Sequence, residues 1–127
     1  MSDLNAKHNR LVWFDIPVAD LARATRFYQA VLGIRIEKVE TPGGNFAVLD
    51  HDHGNGGCLV EEAGAVTDKG ILVYMNADGR LRDAVAQVEK HGGRVLQPVH
   101  AIGRHGFRAI ILDCEGNRIA LHSHLDM

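Results

Sequence analysis

Several groups of residues in this chain of 127 have the types and spacing to do chemistry. His122 and His124 stand two apart, so a strand puts both imidazoles on one face, the arrangement for proton transfer or hydrogen bonding. His124 lies three residues from the C-terminal end of the sequence, where chains loosen, so His122 is the stronger candidate. Trp13 and Asp15 alternate with Val12, Phe14, Ile16 and Val18. The apolar row belongs under helices, which leaves Trp13 as a stacking surface and Asp15 as a carboxylate facing a cavity or a partner. His51-Asp52-His53 has chelating residue types, but it sits in a glycine-rich tip where a solvated loop is the simpler reading; folded over the cup, the tip could act as a lid. Cys58 has no basic neighbour in sequence and reads as a small buried residue rather than a nucleophile. Gly103-Arg104-His105-Gly106 offers a cation at a turn, with a plain surface turn as its bland alternative.

The elements that must position these residues occur twice. Residues 11–33 read as a strand, an acidic cap at Asp20, an amphipathic helix through Leu21, Ala24, Phe27, Val31 and Leu32, and a glycine stop at Gly33. Residues 70–93 repeat that order at an offset of 59, which sets Tyr74 under Asp15, Ala77 under Val18 and Gly92 under Gly33. Such self-similarity predicts two copies of one supersecondary unit that pack together. In the first copy, strands follow at 34–40, 45–50 and 58–61. In the second, a strand at 71–76 and a helix at 81–91 precede strands at 94–98, 106–113 and 118–122, with a tight turn at 114–117. Tyr28 beside Phe27 is expected to pack between helix and sheet. The prediction is one α+β domain over residues 1–127, made of βαβββ units at 11–62 and 70–124.

Composition sets the class. Hydrophobic residues make up 46% and charged residues 24%, with a formal charge of −2 and no basic helix face, which argues against nucleic acid or an anionic membrane as partner. Neither an apolar leader nor a membrane-length apolar run is present, so a soluble cytoplasmic protein is expected. Two cysteines, Cys58 and Cys114, one in each copy and without metal-type spacing, predict free thiols.

Two tandem βαβββ units, the opening Pro17-Val18-x-Asp20-Leu21-x-Arg23-Ala24-x-x-Phe27-Tyr28 and the closing turn from Asp113 to Ile119 resemble the vicinal oxygen chelate superfamily, which includes glyoxalase I, bleomycin-resistance and fosfomycin-resistance proteins and extradiol dioxygenases. The resemblance runs from about Leu11 to Ser123 and is nearest to the small bacterial glyoxalase-like proteins. It implies curved mixed sheets around a cup, a homodimer and a small-molecule ligand. In metal-dependent members four ligands come from the first and last strands of each unit. Carried over, those positions fall on Trp13, Leu72, Ala120, and Cys58 or Val60. Indole nitrogen has no lone pair to give, and Leu, Ala and Val have no donor at all, so no usual quartet survives and the one possible thiolate, Cys58, is without partners. Two residues further along each strand, about 7 Å, stand Asp15, Tyr74, His122 and, in one register, Glu62.

The cup is therefore expected to be lined by Trp13, Asp15, Cys58, Val60, Leu72, Tyr74, Ala120 and His122. The first functional reading is a metal-independent protein that binds a small organic ligand, with Trp13 stacking and Asp15 and His122 orienting polar atoms. The alternative is an isomerase or lyase acting on a small carbonyl compound, with Asp15 or His122 as the catalytic base and a divalent metal near that pair left open. A third is an interaction module whose cup is closed by Trp13 and Tyr74.

Overall fold

A computed structural model describes residues 7–127. Residues 1–6, part of the segment read as having no leader, lie outside the described residues. The first unit runs β1 (Asp15–Val18), α1 (Leu21–Leu32), β2 (Ile36–Thr41), β3 (Gly44–Leu49) and β4 (Cys58–Glu61); the second runs β5 (Val73–Asn76), α2 (Leu81–Lys90), β6 (Arg94–Ala101), β7 (Phe107–Leu112) and β8 (Arg118–Ser123). Each unit forms a four-stranded mixed sheet, ordered β1-β4-β3-β2 and β5-β8-β7-β6. The first strand of each sheet pairs in parallel with the last, and the remaining pairs are antiparallel. This is the expected α+β architecture of tandem βαβββ units.

Helix α1 starts where Asp20 accepts from the Arg23 N–H at 3.0 Å and stops at Gly33, whose φ of 66° a Cβ would oppose. Its buried stripe (Leu21, Ala24, Phe27, Tyr28, Val31, Leu32) packs against α2 and the sheets. Full burial of a side chain like Phe27 stabilises by about 1.5–3 kcal/mol. The acidic cap does not recur in the second unit. Arg80 stands at that position without a side-chain cap, and Asp78 instead accepts from the His124 N–H at 2.6 Å. That bond holds the segment around His124, where loosening was expected.

Strand limits differ from the sequence pattern for identifiable reasons. β1 begins at Asp15 rather than near Leu11 because its partner β4 spans only four residues. Gly57 just before β4 lies so close to Phe14 that a Cβ there would stand 2.5 Å from the ring and the carbonyl. β5 begins at Val73, leaving Ile71 92% exposed. β6 runs three residues beyond the expected end, carrying Pro98 inside it. Register shifts on either side of Gln97 let an edge strand hold that proline.

Contacts between helix α1 and the β7–β8 turn join the two units. The Tyr28 hydroxyl, fully buried, donates to Asp113 Oδ2 at 2.5 Å. Asp113 Oδ1 accepts the backbone N–H groups of Glu115, Gly116 and Asn117. Asn117 Nδ2 reaches back to the Pro17 carbonyl at 2.7 Å. Glu115, whose side chain has no exposure, takes the N–H groups of Ala19 and Asp20 and an ion pair with Arg23 at 2.6 Å.

Candidate functional site

Antiparallel partners share a face, so the ladders of the second sheet assemble one polar row across all four strands. Asn76 on β5 is opposite His122 on β8, His122 is opposite Arg108 on β7, and Arg108 is opposite His100 on β6. Adjacent members stand about 4.8 Å apart along the row. The next row on that face carries Tyr74, Ala120, Ile110 and Gln97. The matching face of the first sheet is different in kind: Pro17, Val60, Phe46 and Val39 form one row and Asp15, Cys58, Val48 and Glu37 the other.

Hydrogen bonds fix the protons in the polar row. Arg108 Nε can only donate, and it does so to His100 Nε2 at 3.0 Å. His100 is therefore the neutral tautomer that donates from Nδ1 to the Pro98 carbonyl at 2.8 Å. Arg108 Nη1 crosses the face of β8 to donate to the Tyr74 hydroxyl. Ala120, the residue beneath that crossing, is fully buried and small enough to permit it. The Tyr74 hydroxyl, accepting from arginine, keeps its own proton to give. His122 Nε2 bonds to the His105 carbonyl at 2.6 Å, so Nε2 carries a hydrogen, and whenever the ring is neutral Nδ1 is its lone-pair nitrogen. The turn at Gly103–His105 thus orients His122.

A cavity of about 380 Å³ opens beside these groups, lined by Tyr74, Met75, Asn76, Asp78, His122 and His124. The Tyr74 and His122 rings stand 6.4 Å apart, and His124 meets His122 edge-on at 5.0 Å. A second hollow of about 440 Å³ shares Tyr74, Met75 and Asn76 but is walled by the 50–56 tip, including His51 and Asp52. The tip therefore flanks β5. His53 is exposed and pairs only loosely with Asp52 at 3.7 Å.

The sequence-predicted residues divide between the two sheets. Trp13 precedes β1 and stands edge-on to His51 at 5.9 Å. Asp15 accepts from the Cys58 thiol at 3.1 Å, and burial, then the carboxylate, pushes that thiol up to about 11. Val60 lies two positions along the same face of β4. Asp15 lines a small hollow with Ile71, Val73 and Arg118, whereas His122 lines the larger cavity with Tyr74. No hydrogen bond among the described residues joins Asp15 to His122. Leu72 falls just before β5, and Glu62 just beyond β4 with its N–H on the Val18 carbonyl. Tyr74 is 47% exposed and leaves its cavity open rather than filling it. Arg108 and His100 are the members that the linear pattern does not single out. The 114–117 turn is the signal that could find Arg108, because a tight hairpin fixes which β7 residue faces His122.

A family model described as bleomycin resistance protein-like N-terminal matches residues 10–50. No curated protein matches the chain. A glyoxalase/bleomycin resistance protein from Albidiferax ferrireducens superposes with a TM-score of 0.72 at 16% identity, covering 91% of this chain and 98% of that one. The chain has the vicinal oxygen chelate fold. A genomically encoded fosfomycin resistance protein from Listeria monocytogenes matches over 93% of this chain and 95% of its own, with TM-score 0.68 and 14% identity. A glyoxalase I variant from Zea mays matches 88% of this chain but 46% of its own, with TM-score 0.68 and 22% identity.

The positions that the resemblance carries over for a metal quartet hold Trp13, Leu72, Ala120, and Cys58 or Val60. The Trp13 ring and the Leu72 side chain carry no metal donor. The Ala120 position lies beneath the Arg108 side chain, and a cation there opposes a second one. Cys58 holds its proton against Asp15. Among the described residues, no three His, Cys, Asp or Glu side chains gather as metal ligands. No described helix is long and apolar enough to cross a membrane.

Proposed function

We propose that this protein binds a small organic ligand on the outward face of its second sheet without the fold's usual metal quartet. The observation that carries the reading is the row Asn76, His122, Arg108 and His100 beside an open cavity. Tyr74 and His122 line that cavity and Arg108 reaches it through its bond to the Tyr74 hydroxyl, so a ligand meets donors at Arg108 and Tyr74 and, on the neutral ring, an acceptor at His122 Nδ1. That differs from the sequence reading in which Trp13 stacks and Asp15 assists His122. Within one chain those two side chains stand with Cys58 and His51 instead.

A second reading has its own support: His122 with a free Nδ1 is a base suited to an isomerase or lyase acting on a small carbonyl compound. We further propose a homodimer, since β1 and β2 in the first sheet and β5 and β6 in the second are edge strands and Phe46, Val48 and Val60 leave an apolar face half-covered. The test is a library of small carbonyl compounds and organic acids, followed for thermal stabilisation and for consumption. Stabilisation without consumption supports the binder. Consumption abolished by His122→Ala supports the enzyme. Neither effect with any compound refutes both. Sedimentation velocity over a concentration series tests the dimer.

A further inference from the structure

The row that carries the proposed binding site contains one fixed positive charge, and its placement identifies the ligand class. Arg108 is half-buried, with no carboxylate partner among the described residues. Of the five N–H donors of a guanidinium, one is committed to His100 and one to Tyr74, which leaves three. Its neighbours hold it rather than neutralise it. His100 is uncharged because it accepts from Arg108, and Tyr74 offers only an oxygen lone pair. Cζ stands over the Tyr74 ring, 6.0 Å from its centroid. An oriented, unneutralised guanidinium next to an unspent phenolic proton is an oxyanion site.

The surroundings favour a monoanion. Arg118, on the same sheet face but on β8, turns away to the Gly70 carbonyl at 3.2 Å. Asp78 lies in the same cavity and contributes negative charge, although its carboxylate is spent on the His124 N–H and on Ser123 Oγ. One cation with a carboxylate at the far rim matches a single negative charge better than a doubly charged phosphate or phosphonate. The Tyr74 and His122 rings, 6.4 Å apart, offer apolar surface for the organic part.

We infer that the second sheet binds a small organic carboxylate, its oxygens on Arg108 and the Tyr74 hydroxyl and its body against the Tyr74 and His122 rings. In this arrangement a guanidinium supplies the positive charge over Ala120. The inference rests on the binding reading above and names its ligand class.

Calorimetry with benzoate, benzamide and phenylphosphonate on wild type, Arg108→Gln, Arg108→Lys and Tyr74→Phe tests it. Benzoate is expected to bind wild type, benzamide at least tenfold more weakly. Arg108→Gln is expected to lose benzoate binding by tenfold or more, Arg108→Lys to recover part of it, and Tyr74→Phe to lose a smaller factor. Circular dichroism confirms that each variant is folded; should Arg108→Gln fail to fold, the Arg108→Lys and Tyr74→Phe losses carry the test. Benzamide binding as well as benzoate, and unaffected at Arg108, would overturn the carboxylate while leaving the binding site standing. Binding of phenylphosphonate alone would reassign the anion and overturn the inference. Silence of all three compounds at millimolar concentration would overturn both the ligand class and the site reading.

Discussion

The Tyr28 hydroxyl and the Asp113 carboxylate meet at 2.5 Å in the core, across 85 positions of sequence. The bond ties the first unit's helix to the second unit's hairpin turn, where the same carboxylate gathers three backbone N–H groups. Burial first, and then Asp113, keeps the Tyr28 phenol far above its ordinary pKa. Tyr28→Phe removes one bond while Asn117 Nδ2 still serves Oδ2 at 3.1 Å, so a loss of about 1–2 kcal/mol in urea unfolding is expected. Asp113→Ala orphans the turn's N–H groups and is expected to cost about 3 kcal/mol or more. Equal effects of the two changes would contradict the assigned roles.

Glu115 is the second tie between the units and gives stability a pH dependence. Burial opposes its charge, but the Arg23 guanidinium and the N–H groups of Asp20 and Ala19 outweigh that and hold it below the ordinary 4.5. A carboxylate lowered on folding contributes stability above its unfolded pKa and loses it as the pH falls through the folded value. Thermal unfolding from pH 7 down to pH 3 should therefore show an acid limb that flattens in Glu115→Gln. That variant is also expected to lose about 2–3 kcal/mol at pH 7, since bonds to a charged group are broken. An unchanged acid limb would remove Glu115 from this role.

The thiols give the opposite sign. Burial, then Asp15, pushes Cys58 up to about 11; burial, then Asp113 and Glu115, pushes Cys114 up to about 12; both start from 9.0. Above pH 9 the unfolded chain releases these protons and the folded chain keeps them, so stability falls as pH rises from 9 toward 11. Alkylation by iodoacetamide at pH 8 is expected to be slow in the folded protein and rapid in urea. Prompt labelling of Cys58 in the folded state would contradict its burial against Asp15.

Gly57, just before β4, lies directly against Phe14, just before β1. A Cβ there would meet Phe14 side chain and backbone at 2.5 Å, and Phe14 cannot retreat because its carbonyl accepts the Cys58 N–H at 3.0 Å. Gly57→Ala is expected to cost about 2–4 kcal/mol in chemical denaturation. A neutral result would mean that β1 shifts freely along β4.

Much of the fold was legible because its signals are local. The 3.6-residue stripe from Leu21 to Leu32, the Asp20 cap and the Gly33 stop mark α1 without reference to the rest of the chain, and the offset of 59 finds α2. The edge strands were less legible. Their length depends on partners: β1 is as short as β4, and β6 extends past Pro98 because bulges absorb it. The site was legible in part. Tyr74 and His122 do line one cavity, but Arg108 and His100 join them only through ladder register, which two bulge-like shifts obscure for His100. A single cup shared by both units would bring Asp15 and Trp13 beside His122; in the chain Asp15 opens β1 of the other sheet and Trp13 precedes it.

The most direct test of the ligand site is a fragment titration of ¹⁵N-labelled protein read by amide and side-chain chemical shifts. The account predicts that responding fragments move Tyr74, Asn76, Arg108 and His122 together, with the Arg108 Nε–H resonance shifting in step. Fragments that instead move only Asp15, Phe46 and Val60, or a library with no responding fragment, would contradict it.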